Sequence, residues 1–159
     1  MNVQTKKEGF TIIEVVLVLA IAGLIFLMVF IALPALQRNQ RDTARKNDMS
    51  RAQTAIVNAA NDNRGKLPTL NNAFIAKYLA INGDEFVDPA GKNYAFAELT
   101  EATSPTGFDG TDSGQTAVRV YYTTGAVCAG NGAVTLNQGA RKVALRLVLE
   151  GGGVSCVNN

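Results

Sequence analysis

The chain of 159 residues contains no histidine, no tryptophan and only two cysteines, Cys128 and Cys156. Without an imidazole there is no ready general base, and cysteines so far apart in sequence form no Cys-x-x-Cys metal or redox pair. Its serines and lysines form no Ser-x-x-Lys pair with supporting motifs. Nothing in this inventory points to an enzyme, and no cofactor or metal is expected. The formal net charge is only +2, which predicts no specific nucleic-acid partner. A further scarcity is positional: no Lys or Arg lies between Lys7 and Arg38.

That cation-free stretch holds the feature on which the rest of the chain turns. Lys6-Lys7-Glu8-Gly9-Phe10-Thr11-Ile12-Ile13-Glu14 leads directly into the apolar run Val15 to Leu33. A run of this length can cross a bilayer, which takes roughly 20 apolar residues. A charged side chain within such a segment costs about 2.5 to 3.5 kcal/mol on insertion scales, so Glu14 calls for a cation. Its own helix has none at the neighbouring i+3 or i+4 positions. A cut between Gly9 and Phe10 would create one, because the new α-amino group of Phe10 would be a positive charge at the same depth. That amine and Glu14 could pair within one helix or between adjacent copies, and the second arrangement is an assembly rule.

These residues resemble the processing site of type IV prepilins, with their class III leader peptide, and of the related pseudopilins of type II secretion. In that family a membrane prepilin peptidase cuts after the glycine and methylates the new terminus, and the fifth mature residue is a glutamate. Those positions are Gly9, Phe10 and Glu14 here. A secretory signal is the first alternative, but its apolar part runs about 7 to 15 residues and ends in a small-x-small cut site, unlike Leu33-Pro34-Ala35-Leu36-Gln37. A plain single-span anchor is the second, and it leaves Glu14 unexplained. The resemblance implies an α+β chain of the type IV pilin fold, in which a long kinked N-terminal helix packs on a C-terminal antiparallel β-sheet.

The expected organisation is a leader at 1–9, a membrane and filament-core half-helix at 10–36, and a globular domain at 37–159. Positive charge alone leans against a cytoplasmic leader, since Arg38, Arg41, Arg45 and Lys46 follow the span. The resemblance places the leader inside, where the peptidase acts. Phe10 to about Asn63 reads as one helix, with Gly23 and Pro34 as its weak points. By resemblance the segment between them is where helicity is lost in a filament, and a simple kink is the other reading. Ala20, Ala22 and Gly23 permit close helix approach.

Gln37 to Asp48 is almost wholly polar. Met49, Ala52, Ile56 and Ala59 then recur every three or four residues, an apolar stripe ready to lie on a sheet. Gly65 and Pro68 mark the helix end. Residues 66–115 form an irregular variable loop, in which Asn72 is expected to cap a short helix through Leu79. Asp88-Pro89-Ala90-Gly91-Lys92-Asn93-Tyr94 reads as a turn into an extended segment and resembles a stretch of major pseudopilins. Asp109 and Asp112 could offer oxygens to calcium, but the loop lacks a closing glutamate, and a solvated turn is the other reading.

Residues 116–159 alternate. Val118, Val120 and Tyr122 share one strand face. Val143, Leu145, Leu147 and Leu149 share another, with Ala144, Arg146, Val148 and Glu150 opposite. Gly151-Gly152-Gly153 turns the chain back, which predicts antiparallel pairing. In a domain translocated across the membrane, Cys128 and Cys156 are expected to form a disulfide worth about 3 kcal/mol in the chain-entropy model, with free thiols as the alternative. Charge is regional: residues 38–66 hold seven basic and three acidic side chains, and residues 84–112 seven acidic and one basic. The two regions either face each other between packed copies or are both solvated.

The expected function is a structural pilus subunit. It would be held in the cytoplasmic membrane with its N-terminus inside, taken up by an inner-membrane assembly platform, and polymerised into an extracellular helical homopolymer for adhesion, twitching motility or DNA uptake. A pseudopilin, a minor pilin and a non-assembling membrane-anchored binding domain are the alternatives. Glu14→Ala is expected to leave cleavage after Gly9 intact while abolishing filaments in a shearing assay. Normal filaments in that variant would rule out the charge-pairing role.

Overall fold

A computed structural model describes residues 9–81, 83–108 and 117–159, so the Asp109 and Asp112 loop and the basic leader residues lie outside the described residues. The chain divides into two compact units, 1–37 and 38–159. The helix α1, Ile12–Asp62, supplies the described regular structure of the first and the spine of the second.

In the first unit α1 is helical through both Gly23 and Pro34. Its large apolar side chains have no protein cover: Phe30 is 74 % exposed, and even Val29 is 45 % exposed. It is the one helix among the described residues long and apolar enough to cross a membrane. A helix suits that setting because it satisfies its backbone donors and acceptors internally. A Cβ on Gly23 would meet nothing within 4 Å, so no contact inside a single chain demands the glycine.

In the second unit one stripe of α1 is buried, and it carries the expected Met49, Ala52, Ile56 and Ala59. It also extends about two turns further back than expected, through Arg45 to Asp42. The sheet against it comprises β1 (Asn93–Glu98), β2 (Ala117–Thr124), β5 (Val143–Val148) and β6 (Val154–Asn158), in the order β1-β2-β5-β6. Val118, Val120, Leu145 and Leu147 point into the core with Met49 and Ile56. The β2–β5 and β5–β6 pairs are antiparallel, as expected, with Tyr122 opposite Leu145 and Leu145 opposite Val157. The β1–β2 pair departs from this and is parallel, with Tyr94 opposite Val118. A parallel pair needs a long return connection, which residues 99–116 provide.

The second sheet face is also covered. The hairpin β3 (Val127–Gly130) and β4 (Ala133–Thr135) folds over it, so Ala126, Val134 and Ala144 form a small core beside the cysteines. Asn131 and Gly132 turn this hairpin with φ of 48° and 76°, the primed-turn geometry that asparagine and glycine tolerate. A Cβ on Gly132 would come within 2.4 Å of Val154 Cβ. Arg146 is completely buried under the strap that follows β1. It donates to Thr103 O at 2.6 Å, Glu101 O at 3.0 Å and Thr123 Oγ1 at 2.6 Å. Thr123 in turn donates to Leu99 O.

Two local expectations shift. The cap of the short helix is Asn71, not Asn72: its side chain accepts from Phe74 N at 3.0 Å. The helical turn α2, Asn72–Phe74, then widens into a π-helical turn over Ile75–Leu79. Asparagines at 71 and 72 offer the same chemistry, and burial of Phe74 and Leu79 selects which one caps.

The polar start of the second unit is a clasp. Arg45 has no exposed surface and forks onto Asp88 at 2.6 and 3.0 Å. It also reaches Asp42 at 2.9 Å and Glu150 at 3.1 Å, and its guanidinium lies 4.5 Å from the Phe108 ring centre. Arg41 binds Glu150 at 2.8 and 2.5 Å. Asp42 accepts from the backbone of Glu150 and Gly151 at 3.0 and 2.7 Å. Asp88 also accepts from Ala90 N, and Tyr94 donates to Asp48 at 3.0 Å, which docks the turn before β1 onto the helix. Opposite charges expected on separate surfaces therefore meet inside one chain: Arg45 with Asp88, and Arg51 with Asp84 at 2.6 Å.

Removing one member of a buried pair strands the other, at about 3 to 5 kcal/mol. Arg45→Leu is expected to lose that much in urea unfolding of the full chain in mild detergent, and Arg45→Lys less. Glu150 supplies a pH dependence. Its bonds from Arg41, and then those from Arg45, outweigh its desolvation and hold its carboxyl near a pKa of about 2 instead of 4.5. A folded pKa below the unfolded one stabilises above the unfolded value, and the gain is lost as pH falls from about 4.5 toward about 2. Glu150→Gln is expected to flatten the fall in stability across that window, measured by acid titration of the unfolding midpoint.

Candidate processing and assembly segment

Gly9 and Phe10 precede the helix, are not helical, and are exposed, Phe10 by 90 %. The backbone on either side of their peptide bond is therefore outside the α1 hydrogen-bond ladder. The boundary is set two residues later. Thr11 caps the helix, and its hydroxyl accepts from Glu14 N at 3.3 Å. The Glu14 carboxylate reaches back to Thr11 N at 2.9 Å and to the Thr11 hydroxyl at 2.8 Å. This reciprocal arrangement is a capping box, in which side chains satisfy backbone donors that the first helical turn leaves free.

Glu14 consequently has partners in the uncut chain, and among the described residues none of them is a cation. The pattern Thr11-Ile12-Ile13-Glu14 is that of a capping box, a signal carried by four consecutive residues and independent of any charged neighbour. Helix-start chemistry and membrane chemistry fall on the same side chain. A carboxylate near a helix N-terminus also gains from the helix dipole. Phe10 is four residues before Glu14, so a charge created there would arise within a turn of a carboxylate already oriented by Thr11.

The remaining site residues are distributed as follows. Gly23 and Pro34 lie within the exposed helical run. Cys128 on β3 and Cys156 on β6 are joined in a disulfide, with Cα atoms 5.9 Å apart. The bond ties the hairpin to the last strand, and Cys128 N donates to Asn158 Oδ1 beside it at 3.1 Å. The cleft at the end of β2, about 480 Å³, is bounded by Glu98, Thr100, Thr124 and Asn137 and presents no nucleophile with a base. Among the described residues no three metal-ligating side chains converge.

Residues 4–30 match the family described as the prokaryotic N-terminal methylation motif. The chain thus carries the class III leader peptide that type IV pilins and pseudopilins share. The match runs from Gln4 through the capping box and most of the apolar run, and its family is a structural one. With the long N-terminal helix and the antiparallel-rich sheet, the architecture is consistent with the pilin fold. The apolar helix and the motif together fit a membrane-anchored precursor processed by prepilin peptidase. No curated protein and no solved structure matches the chain.

Proposed function

We propose that this chain is the subunit of a type IV pilus, cleaved after Gly9, N-methylated on Phe10 and polymerised into an extracellular filament. The observation that carries the reading is the coincidence of the motif with the uncovered apolar first half of α1, whose one carboxylate is held at its start. Before cleavage the membrane covers the run Val15 to Leu33. After it, packed copies cover the same run, each large aliphatic or aromatic side chain contributing about 1.5 to 3 kcal/mol on full burial. The subunit divides into a leader at 1–9, a filament-core half-helix at 10–36 and an outer domain at 37–159.

In this mechanism the peptidase takes the Gly9–Phe10 bond from the cytoplasmic side, outside the helical ladder. The Phe10 amine then neutralises Glu14 of a neighbouring copy, so each added subunit satisfies a charge that would otherwise remain in an apolar medium. The inner-membrane assembly platform extracts the subunit. Gly23 to Pro34 is the segment that loses helicity as copies pack, since glycine and proline hold the helix least firmly there. The filament serves adhesion, twitching motility or DNA uptake. A second reading, a pseudopilin of type II secretion, is favoured by Asp88-Pro89-Ala90-Gly91-Lys92-Asn93-Tyr94, and deletion would then block secretion of folded proteins.

Intact mass and N-terminal sequencing of the fraction sheared from cell surfaces test the proposal. The expected species begins at methylated Phe10 and is lighter by the two hydrogens lost to the Cys128–Cys156 bond. A chain that starts at Met1 and is found only in membranes would overturn it in favour of an anchored domain.

A further inference from the structure

The clasp consumes most of the charge on α1 and leaves Arg38 and Lys46 as exposed cations with no ion pair among the described residues. Arg41 and Arg45 are paired with Glu150, Asp42 and Asp88, and Arg51 with Asp48 and Asp84. Lys46 is exposed, and no side chain among the described residues pairs with its ammonium. Glu85 is likewise exposed and without an ion pair there. These two charges belong to opposite flanks of the helix. Gln53 donates to Asn158 O at 2.7 Å, which marks the flank beside β6. Lys46 is seven residues before Gln53 and so faces the same way. Arg51 donates to Asp84, which marks the other flank, and Glu85 follows Asp84 directly. Lys46 and Arg51 differ by five residues, about 140° around a helix of 3.6 residues per turn.

We infer that these flanks are the two halves of one interface between copies of this chain, with Lys46 of one copy facing Glu85 of the next. The inference rests on the filament reading above and names the contact that sets its register. A head-to-tail contact that does not close generates a helical filament, and it requires two different, mutually complementary patches on each copy. Opposite unpaired charges on opposite flanks meet that requirement, whereas a polyanionic or polycationic partner would need only one sign. Shape agrees with charge. Val57, 37 % exposed, stands on the Lys46 flank. The Arg51 flank has a groove of about 420 Å³ between Thr54, Asn58 and Tyr78. Complementary charge across such a contact fixes orientation and suppresses wrong registers more than it adds affinity.

The test reverses each charge in the full-length chain in cells that assemble it. Lys46→Glu and Glu85→Lys are each expected to lower sheared-filament yield about tenfold, since like charges brought together are costly. The double reversal is expected to restore it. The thermal unfolding midpoint of each variant in detergent should match the parent, since neither residue contributes to the core. As a second measurement, Lys46→Cys combined with Glu85→Cys should give a ladder of cross-linked multimers on mild oxidation of filaments, absent from either single variant. Parent filaments unaffected by both reversals, with no ladder, would overturn the contact while leaving the filament reading intact. A parent chain that forms no filament would overturn both.

Discussion

The second unit, 38–159, depends on one guanidinium. Arg45 is completely buried, and three carboxylates from three parts of the chain converge on it: Asp42 from its own helix, Asp88 from the turn before β1, and Glu150 from the end of β5. A buried ion cluster is weak grounds for net stability, because desolvating the charges costs about what their attraction returns. Its contribution here is geometric. Bidentate pairing fixes the plane of the Asp88 carboxylate, which then accepts from Ala90 N and shapes the turn that delivers Tyr94 to Asp48. Asp42 meanwhile holds the β5–β6 turn by two backbone donors, with Gly151 so close that a Cβ there would lie 2.9 Å from the carboxylate. Sheet and helix are thereby registered at one end by charge, and along their length by apolar packing.

Arg146 applies the same logic on the other sheet face. Its neighbours are backbone carbonyls of the strap after β1 instead of carboxylates, so it holds an irregular segment against the sheet without needing complementary side chains. Burial lowers its pKa, yet the carbonyls around it suit the charged form. Each sheet face thus carries one buried arginine, and each one secures a stretch with no regular structure of its own.

What the sequence made legible was local. The processing motif, the apolar stripe from Met49, the strand alternation from Val143 and the glycine turn at 151–153 all depend on residues within a few positions of one another, where spacing is diagnostic. Arg45 looked like a solvated charge because its partners are 43 and 105 residues away, and nothing local distinguishes a buried guanidinium from an exposed one. The parallel β1–β2 pair was hidden for a related reason: Tyr94-Ala95-Phe96 shows an extended segment but not the direction of its neighbour. Arg146 occupies the strand face that alternation assigns to the outside, and it is buried because the strap after β1, at Leu99, Glu101 and Thr103, lies over it. The capping box of Thr11 and Glu14 is equally local, carried by four residues, but the charge of Glu14 draws attention to cations and away from a neutral hydroxyl.

The capping box recasts the carboxylate at the centre of the candidate site. An ionised Glu14 within an apolar run is tolerable in the uncut chain because Thr11 gives it two donors, and because the helix start is where negative charge is best placed. Neutral donors reduce the cost without cancelling the charge. A cation remains the stronger partner, and cleavage after Gly9 would generate one at Phe10. The same carboxylate would then pass from ending a helix inside one molecule to joining two. On the filament reading that succession would order the events: a charge satisfied locally would keep the precursor stable in the bilayer, and one satisfied between copies would favour leaving it. The exposed run from Val15 to Leu33 would place the same demand on such an assembly, because apolar surface of that extent would have to exchange lipid for other helices without passing through water.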